Sequence, residues 1–479
     1  MPRDEPTADA AIDLSVPRAI HVVGIGGAGM SAIATVLARM GHRVSGSDLK
    51  ESPTLERLRA LGIDAQVGHS AEHLPNELDA LILSTAIPRS NPEVVGAEER
   101  GVRVLRRAEA LRALAATRRS IAVAGSHGKT TTSSMLALVL RAAGWRPSFL
   151  IGGDLNEVGT NAAYDDGEWL VVEADESDGT FLELAPDAAI VTNVEADHLD
   201  HYGDFDGLVD AFRQFLSGRV LSGAGGVQPG GLRVVCADDE ILRTLVADDP
   251  DIVTFGVADG ARYRLADYQG ARQGSSFGLV HDGELLGTIE LPVPGHHNAM
   301  NAAGAAALAL ELGVPFDAVR TALAGFGGVA RRFQFRGVVD GVTLVDDYAH
   351  IPGEVAAMIR AAREGDWARV VVVFQPHRYS RTARLWRDFA DSFSGADAVV
   401  LTDIYPAGEA PQPGVSGRLV LRAVLDAHPS LAVSYLPRRA DVVGHALDHA
   451  RPGDLVLTLG AGDLSTVPDE WLSRAGVDS

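Results

Sequence analysis

The chain has 479 residues, 46% of them apolar and 22% charged, with a net charge of −22 and one cysteine, Cys236. That acidity argues against a nucleic-acid binder, which needs a basic footprint, and a lone cysteine excludes an intrachain disulfide. Apolar stretches are short: Ala302–Leu310 is stopped by Glu311 and Val370–Phe374 by Gln375, well below the roughly 20 residues needed to span a bilayer.

In chain order, Ala19–Val23 predicts a short apolar strand, Gly24–Gly29 a turn, and Met30–Met40 a helix that stops near Gly41. Arg43–Asp48 and Leu81–Ser84 read as further strands. This β-α-β rhythm predicts a parallel sheet. It restarts at Ser120–Ala124, followed by a glycine turn, a helix over Thr131–Leu140, and strands at Trp169–Val172 and Ala188–Thr192. The glycine-rich stretch 223–231 reads as a flexible loop. Asn298–Leu312 is an alanine-rich helix, and strands at Val342–Val345, Val370–Phe374, Ala398–Thr402 and Leu455–Leu459 make a third α/β stretch. At about 100–200 residues per domain, the fold class is α/β with three domains, 1–116, 117–328 and 329–479. Met1–Ala11 carries more acid than base and no apolar core, so no secretion signal is expected and a cytoplasmic enzyme is the natural inference.

Two glycine turns carry the chemistry. Gly24-Ile25-Gly26-Gly27-Ala28-Gly29 fits G-x-G-x-x-G between a strand and a helix, with Asp48 ending the next strand where a ribose-binding acid would lie. Glycines let the backbone approach a diphosphate, and the helix N-terminus offers N–H donors. A dinucleotide, another diphosphate ligand and a ligand-free tight turn all remain open from this motif. The second turn, Gly125-Ser126-His127-Gly128-Lys129-Thr130, also stands between strand and helix. Its backbone would cradle phosphates, Lys129 would reach the β- and γ-phosphates and Thr130 would ligate Mg²⁺. It is a shortened G-x-x-G-K-T loop, with Val123 where the usual form has its first glycine. A glycine turn with an exposed lysine is the bland reading. Against it, Lys50 and Lys129 are the only lysines among 42 basic residues, and a compact ammonium serves phosphate differently from a planar guanidinium.

Further segments follow in order: Glu173-Ala174-Asp175-Glu176-Ser177-Asp178-Gly179, Asn193 to Asp200 with His198, His297-Asn298-Ala299-Met300-Asn301, Arg331-Arg332, Asp346-Asp347-Tyr348-Ala349-His350-Ile351-Pro352, and Gln375-Pro376-His377-Arg378-Tyr379-Ser380-Arg381. With the short phosphate loop they resemble the Mur ligase family of three-domain, ATP-dependent, amide-forming ligases, from about residue 19 to residue 463. The resemblance implies a Rossmann-like first domain that binds the UDP part of a sugar substrate rather than NAD, a central P-loop-type ATPase domain with a parallel sheet, and a Rossmann-like C-terminal domain. Gly26, Gly27, Gly29, Met30, Ser31, Asp48, Ser84 and Thr85 are then expected at the UDP-sugar. Gly125, Ser126, His127, Gly128, Lys129, Thr130, Thr131, Asn298, Asn301, Arg332 and Asp347 are expected at ATP, and Thr130, Glu173 and His198 at Mg²⁺. The expected catalytic set is Lys129, Glu173, His198, Arg332 and His350, with Tyr348, His377, Arg378 and Arg381 at the amino acid.

The bland readings are a solvated strand-end acid for Glu173, a packed histidine for His198, a helix cap for Asn298 and a surface charge for Arg331 or Arg381. Glu173–Gly179 and Tyr348 resemble the alanine-adding branch, which implies UDP-N-acetylmuramate, L-alanine and ATP as substrates. In that reading ATP phosphorylates the lactyl carboxylate and the amine displaces phosphate, with His350 and His377 both open as the base. Two positions depart from the family: Ile351 replaces a histidine, and Gly408 stands where an arginine is common. Gly207–Leu216 holds Arg213 but no lysine, so the carbamylated lysine of other branches is excluded. Closure on ligand binding is expected near residue 328. Three rivals remain: another Mur-type ligase, an NAD-dependent dehydrogenase that leaves Lys129, Glu173 and His198 idle, and a nonenzymatic nucleotide switch that leaves His377–Arg381 unexplained.

Overall fold

A computed structural model describes residues 12–197, 199–217 and 231–476. His198 and nearly all of the expected 223–231 loop therefore lie outside the described residues. The chain forms two compact units. One is built on the chain up to Leu265 with Leu279–Leu286 and Asn301–Leu323; the other on Ala266–Gly278, Gly287–Met300 and the chain from Ala324 onward.

The first sheet has strands β1 (Ala19–Val23), β2 (Arg43–Asp48), β3 (Asp64–Val67), β4 (Ala80–Leu83) and β5 (Arg103–Arg106), in the order β3-β2-β1-β4-β5. Every pairing is parallel. The strand order reverses between β1 and β4, so the loops leaving their carboxyl ends open a crevice, the usual place for a ligand in such sheets. The helix Ala28–Arg39 returns across the sheet and buries Met30, Ser31, Ala32, Ile33, Ala34, Val36 and Leu37, so more than one of its faces is covered.

The second sheet contains β6 (Arg119–Ala124), β7 (Ser148–Leu155), β8 (Thr160–Ala163), β9 (Trp169–Glu173), β10 (Ala188–Val191), β11 (Leu232–Cys236), β12 (Val253–Gly256), β13 (Tyr263–Ala271), β14 (Gly274–His281) and β15 (Glu284–Leu291). Its order is β15-β14-β13-β12-β11-β10-β6-β9-β7-β8. The centre is parallel, β10-β6-β9, and its residues Ile121–Ala124, Val171–Val172 and Ala188–Val191 are fully buried. A parallel strand covered on both faces needs such an uninterrupted apolar run.

The third sheet has β16 (Gln334–Val339), β17 (Val342–Asp347), β18 (Arg369–Phe374), β19 (Ala398–Thr402), β20 (Ala432–Leu436) and β21 (Asp454–Leu459), in the order β16-β17-β21-β18-β19-β20. Only β16 runs antiparallel, as a hairpin with β17. Phe374, Phe389 and Phe393 anchor one hydrophobic cluster on this sheet, and Trp471 with Val442 and Val456 a second. Among the described residues no helix is long and apolar enough to cross a membrane.

The apolar strands stand where their sequences place them; β1 and β19 keep the expected bounds. Two helices start earlier than expected, at Ala28 and Lys129 rather than Met30 and Thr131, because Gly27 and Gly128 serve directly as N-caps. The antiparallel additions β7–β8, β13–β15 and β16 were not anticipated from the apolar runs. Two of their turns carried a signal: Asp282-Gly283 and Asp340-Gly341 both have positive φ at the two residues, 47° and 86°, and 50° and 77°. That is the aspartate-glycine pattern of a tight hairpin.

Candidate active site

The phosphate loop is shaped by close approach. Gly125 has φ +130°, and a Cβ there would collide with Thr192 Oγ1; Gly128 has φ +83°, and a Cβ there would collide with Asn301 Oδ1. The chain leaving β10 braces the loop from below. Ser126 N–H donates to Asn193 O at 3.0 Å, His127 N–H to Asn193 Oδ1 at 2.8 Å, and Thr192 Oγ1 to His127 O at 2.6 Å. His127 Nε2 lies 3.2 Å from Glu195 Oε2. The helix Lys129–Ala142 then begins, with Thr130 and Thr131 buried in its first turn.

Lys129 folds back over its own loop. Its Nζ donates to Gly125 O at 2.7 Å and to both Glu176 oxygens at 2.8 and 2.7 Å. Burial by itself would lower the Lys129 pKa, but the carboxylates of Glu176, Asp175 and Glu173 outweigh it and hold the ammonium above its ordinary value. Burial pushes the Glu176 carboxyl up against the pull of Lys129. Asp175 is also penalised by burial, yet Lys129 and Arg107 bring it below the usual carboxylate range. Thr130 Oγ1 donates to Glu173 at 3.1 and 3.0 Å, and Gly152 N–H donates to Glu173 Oε2 at 2.7 Å. A hydroxyl and a carboxylate thus converge at the loop, oxygen donors of the kind that a hard divalent cation takes.

A cavity of about 280 Å³ lies in the same unit. Gly27, Gly29 and Met30 of the first glycine turn form one part of its wall, with Ser84 and Thr85 after β4. Arg107, Asp175 and Glu173 form another part. The first glycine turn and the end of β9 therefore share one space. Gly26, Ser31 and Asp48 are not on its wall; they shape the turn. Gly26 N–H donates to Asp48 Oδ2 at 2.9 Å, and Ser31 Oγ donates to Ala28 O at 3.0 Å. The Gly24 and Ile25 N–H groups both donate to Ser47 O, at 2.8 and 2.9 Å.

The remaining expected residues divide between the two units. Asn301 presses its side chain against Gly128. Asn298, one turn earlier on the helix His296–Glu311, donates from Nδ2 to Pro294 O at 2.7 Å. In the second unit, Arg331 is tied down: Nε pairs with Asp346 at 3.2 Å and Nη2 donates to Gly460 O at 2.5 Å. The Arg332 guanidinium stands over the Tyr348 ring, 5.5 Å from its centroid. Asp347 is buried and accepts from Phe333 N–H and Ala349 N–H, each at 2.7 Å. Burial raises its carboxyl to about 6 despite Arg332.

His350 meets Tyr348 and His377 edge-on, with ring centroids 5.3 and 5.5 Å apart, and His377 stacks on Tyr405 at 5.8 Å. Arg381 Nη1 donates to His377 Nδ1 at 3.1 Å. Burial, with His350, Arg381 and Arg378 nearby, lowers His377 to about 3, so its ring is neutral near pH 7. Arg378 has φ +69°, a left-handed conformation in a non-glycine residue, secured by its N–H donating to Tyr405 O at 2.8 Å. Ile351 is 5% exposed and is the N-cap residue of helix Pro352–Arg363, a buried position where an imidazole would need polar partners. Two residues beyond the expected set stand out. Glu176 sat in a quoted segment without a role, and Arg107 carried no motif at all.

A Rossmann-order sheet with a ligand crevice, a shortened phosphate loop and a carboxylate at the neighbouring strand end define a nucleotide-binding α/β enzyme of several domains. Family models agree in chain order: Mur ligase family, catalytic domain, over residues 19–119; Mur ligase middle domain over 123–309; and Mur ligase, glutamate ligase domain over 331–462. The chain belongs to the Mur ligase family. It is 46% identical over 459 residues to UDP-N-acetylmuramate–L-alanine ligase of Desulforamulus reducens, covering 95% of this chain and 97% of that one. It is 45% identical over 460 residues to the enzyme of the same name from Rubrobacter xylanophilus, covering 95% and 99%. Among solved structures, UDP-N-acetylmuramate-alanine ligase from Thermotoga maritima superposes with a TM-score of 0.80 at 30% identity, covering 96% of this chain and 99% of that one.

Proposed function

We propose that the chain joins L-alanine to the lactyl carboxylate of UDP-N-acetylmuramate in peptidoglycan precursor synthesis, with conversion of ATP to ADP and phosphate. The observation that carries this reading is the shared cavity. The turn suited to a sugar nucleotide and the carboxylate beside the phosphate loop line one space, so a carboxylate on the sugar can meet a phosphoryl group at that loop. Identity of 45–46% over nearly the whole chain to enzymes named for L-alanine supports that amino acid.

A carboxylate and an amine do not condense in water; ATP first makes an acyl phosphate. In this reading Gly125, Ser126, His127, Gly128 and Thr131 surround the phosphates of ATP. Lys129 leaves Glu176 to take the β- and γ-oxygens, and Arg332 offsets charge on the phosphoryl group in transfer. Asn298, Asn301 and Asp347 complete the ATP site. Thr130, Glu173 and His198 would hold Mg²⁺, whose chemistry is to withdraw charge from phosphate oxygens. Gly27, Gly29, Met30, Ser84 and Thr85 receive the sugar nucleotide, with Gly26, Ser31 and Asp48 shaping the turn.

Arg378 and Arg381 clamp the alanine carboxylate beside Tyr348 and His377, a bidentate task suited to guanidinium. For the amine proton we favour His350. A ring held at about 3, as in His377, is neutral but a weak base, whereas His350 has Nδ1 3.1 Å from Tyr348 O and 3.4 Å from Glu354 Oε2, contacts that orient the ring. We place the domain borders near residues 116 and 328 and the enzyme in the cytoplasm.

The test is phosphate release from ATP with Mg²⁺, UDP-N-acetylmuramate and one amino acid at a time. Release that depends jointly on L-alanine and the UDP-sugar is expected, as is its loss on chelation of the metal. Release without the sugar nucleotide, or indifferent to L-alanine, overturns the assignment.

A further inference from the structure

Arg107 opens the helix Arg107–Ala115 directly after β5. Its guanidinium lies flat against the first turn of the helix Ala28–Arg39: a Cβ on Gly29 would stand 3.1 Å from Nε and 3.3 Å from Cζ. A helix N-terminus carries positive potential and outward N–H groups, so a cation beside it is disfavoured and an anion favoured. Two positive groups thus face the same cavity. Arg107 Nε is buried and has no hydrogen-bond partner. On the opposite side, Nη1 is 3.5 Å from Asp175 Oδ2, a long pair that orients the guanidinium without satisfying Nε. A planar cation with an unsatisfied donor, packed side by side with a helix N-terminus on one cavity wall, forms an arrangement that an anion in the cavity, touching both, would complete.

We propose that Arg107 binds the diphosphate of the sugar nucleotide, its Nε edge working with the backbone amides at Gly29 and Met30. This rests on the function proposed above and adds a residue to it. The diphosphate is chosen over the lactyl carboxylate because Nε faces the glycine turn. The carboxylate must instead reach the Glu173 part of the wall, next to the phosphate loop. Asp175 is the positioning residue: it holds Nη1 and keeps the Nε edge toward the turn.

The test is calorimetric binding of UDP and of UDP-N-acetylmuramate, without ATP, to the full chain as wild type, Arg107→Met and Arg107→Lys. Arg107→Met is expected to weaken both ligands by a similar factor, on the order of ten- to a hundredfold for loss of a charge-assisted contact. Affinity for an ATP analogue stays unchanged, and in turnover KM for the sugar nucleotide rises while kcat is largely kept. Arg107→Lys, which keeps the charge but not the planar fork, is expected to fall between wild type and Arg107→Met. It carries the test by itself, as a severalfold loss for UDP, should the methionine variant not melt cooperatively. Wild-type affinity for UDP in both variants overturns the proposal. So does a loss confined to UDP-N-acetylmuramate, which would assign the guanidinium to the carboxylate. A wild-type chain that binds neither ligand overturns the proposed function itself, and this inference with it.

Discussion

Lys129 and Glu176 show how one pair can restrain a site before its ligand arrives. Glu176 is 1% exposed and meets the ammonium with both oxygens. In the proposed function ATP draws Lys129 away from a carboxylate that then stays buried without its partner, an unfavourable separation. Glu176→Gln removes that competition. The nucleotide-free variant is expected to lose about 1–3 kcal/mol of stability, because a buried cation keeps only a neutral acceptor, while its affinity for a nonhydrolysable ATP analogue rises severalfold. Thermal melts with and without the analogue measure both effects; an affinity equal to wild type counts against the restraint.

His377 makes a second residue-scale prediction. Its folded pKa, about 3, lies below the ordinary histidine value of 6.5. Between those values the unfolded chain binds more protons, so His377 contributes stability that is full above pH 6.5 and lost as pH falls toward 3. Asp347 works in the opposite sense. Its carboxyl is raised from 3.8 to about 6, so its contribution to stability declines as pH rises through that interval. Denaturant unfolding of His377→Phe between pH 4 and pH 7 is expected to show a flatter loss of stability toward acid than wild type. Equal slopes would mean that His377 titrates alike in both states.

At the scale of elements, the glycine turns hold the most information per residue. Gly128 is in a left-handed conformation and under Asn301 at once. Gly128→Ala is expected to cost about 1–2 kcal/mol for the backbone conformation alone, plus a clash. Asn301→Ala in the same chain removes the clash and is expected to restore part of the lost stability, so the two changes should not add. Strict additivity in thermal melts would show that the two residues do not touch.

The same scale shows what could be read in advance. β1, β6, β9, β10 and β18 are strands buried on the sheet's faces, and a short apolar run bounded by glycine or polar residues marks them plainly. The ribbon β13–β15 escaped notice because much of it is exposed and its residues alternate or turn polar; Tyr263–Ala271 ends in four exposed or partly exposed positions. Its Asp282-Gly283 turn was the legible part. In the site, Lys129 and Thr130 stood out by their glycine turn between strand and helix, whereas Glu173 took its expected metal role from the family resemblance; the fold brings Thr130 and Glu173 within 3.1 Å of each other. Asp48 was expected at the ribose, and its carboxylate accepts from Gly26 N–H, 22 residues earlier, a contact that a strand-end acid does not announce.

For the whole molecule, the net charge of −22 sets the long-range field against two anionic substrates. In the proposed site the favourable groups are local: backbone amides of two turns, Lys129 and Arg107. Salt screens the distant repulsion more than these close contacts, since the Debye length falls to roughly 8 Å at physiological ionic strength. The association rate for the sugar nucleotide is therefore expected to rise between low and physiological salt, the reverse of a positively steered enzyme. Stopped-flow binding across that range measures it, and a rate that falls would place a dominant positive field at the cavity mouth.

Amino-acid order by itself determined the α/β class, the places of the buried strands, both glycine turns and the residue types at the phosphate loop. Each is a local property, dictated by apolar runs, by backbone freedom or by the donors that phosphate needs. Tertiary structure alone decided that the Glu173 carboxylate shares a wall with the first glycine turn, that Glu176 holds Lys129, and that Arg107 lies against Gly29. Those are meetings of distant segments, created by the order of strands in the sheets and by close packing, and no spacing along the chain encodes them.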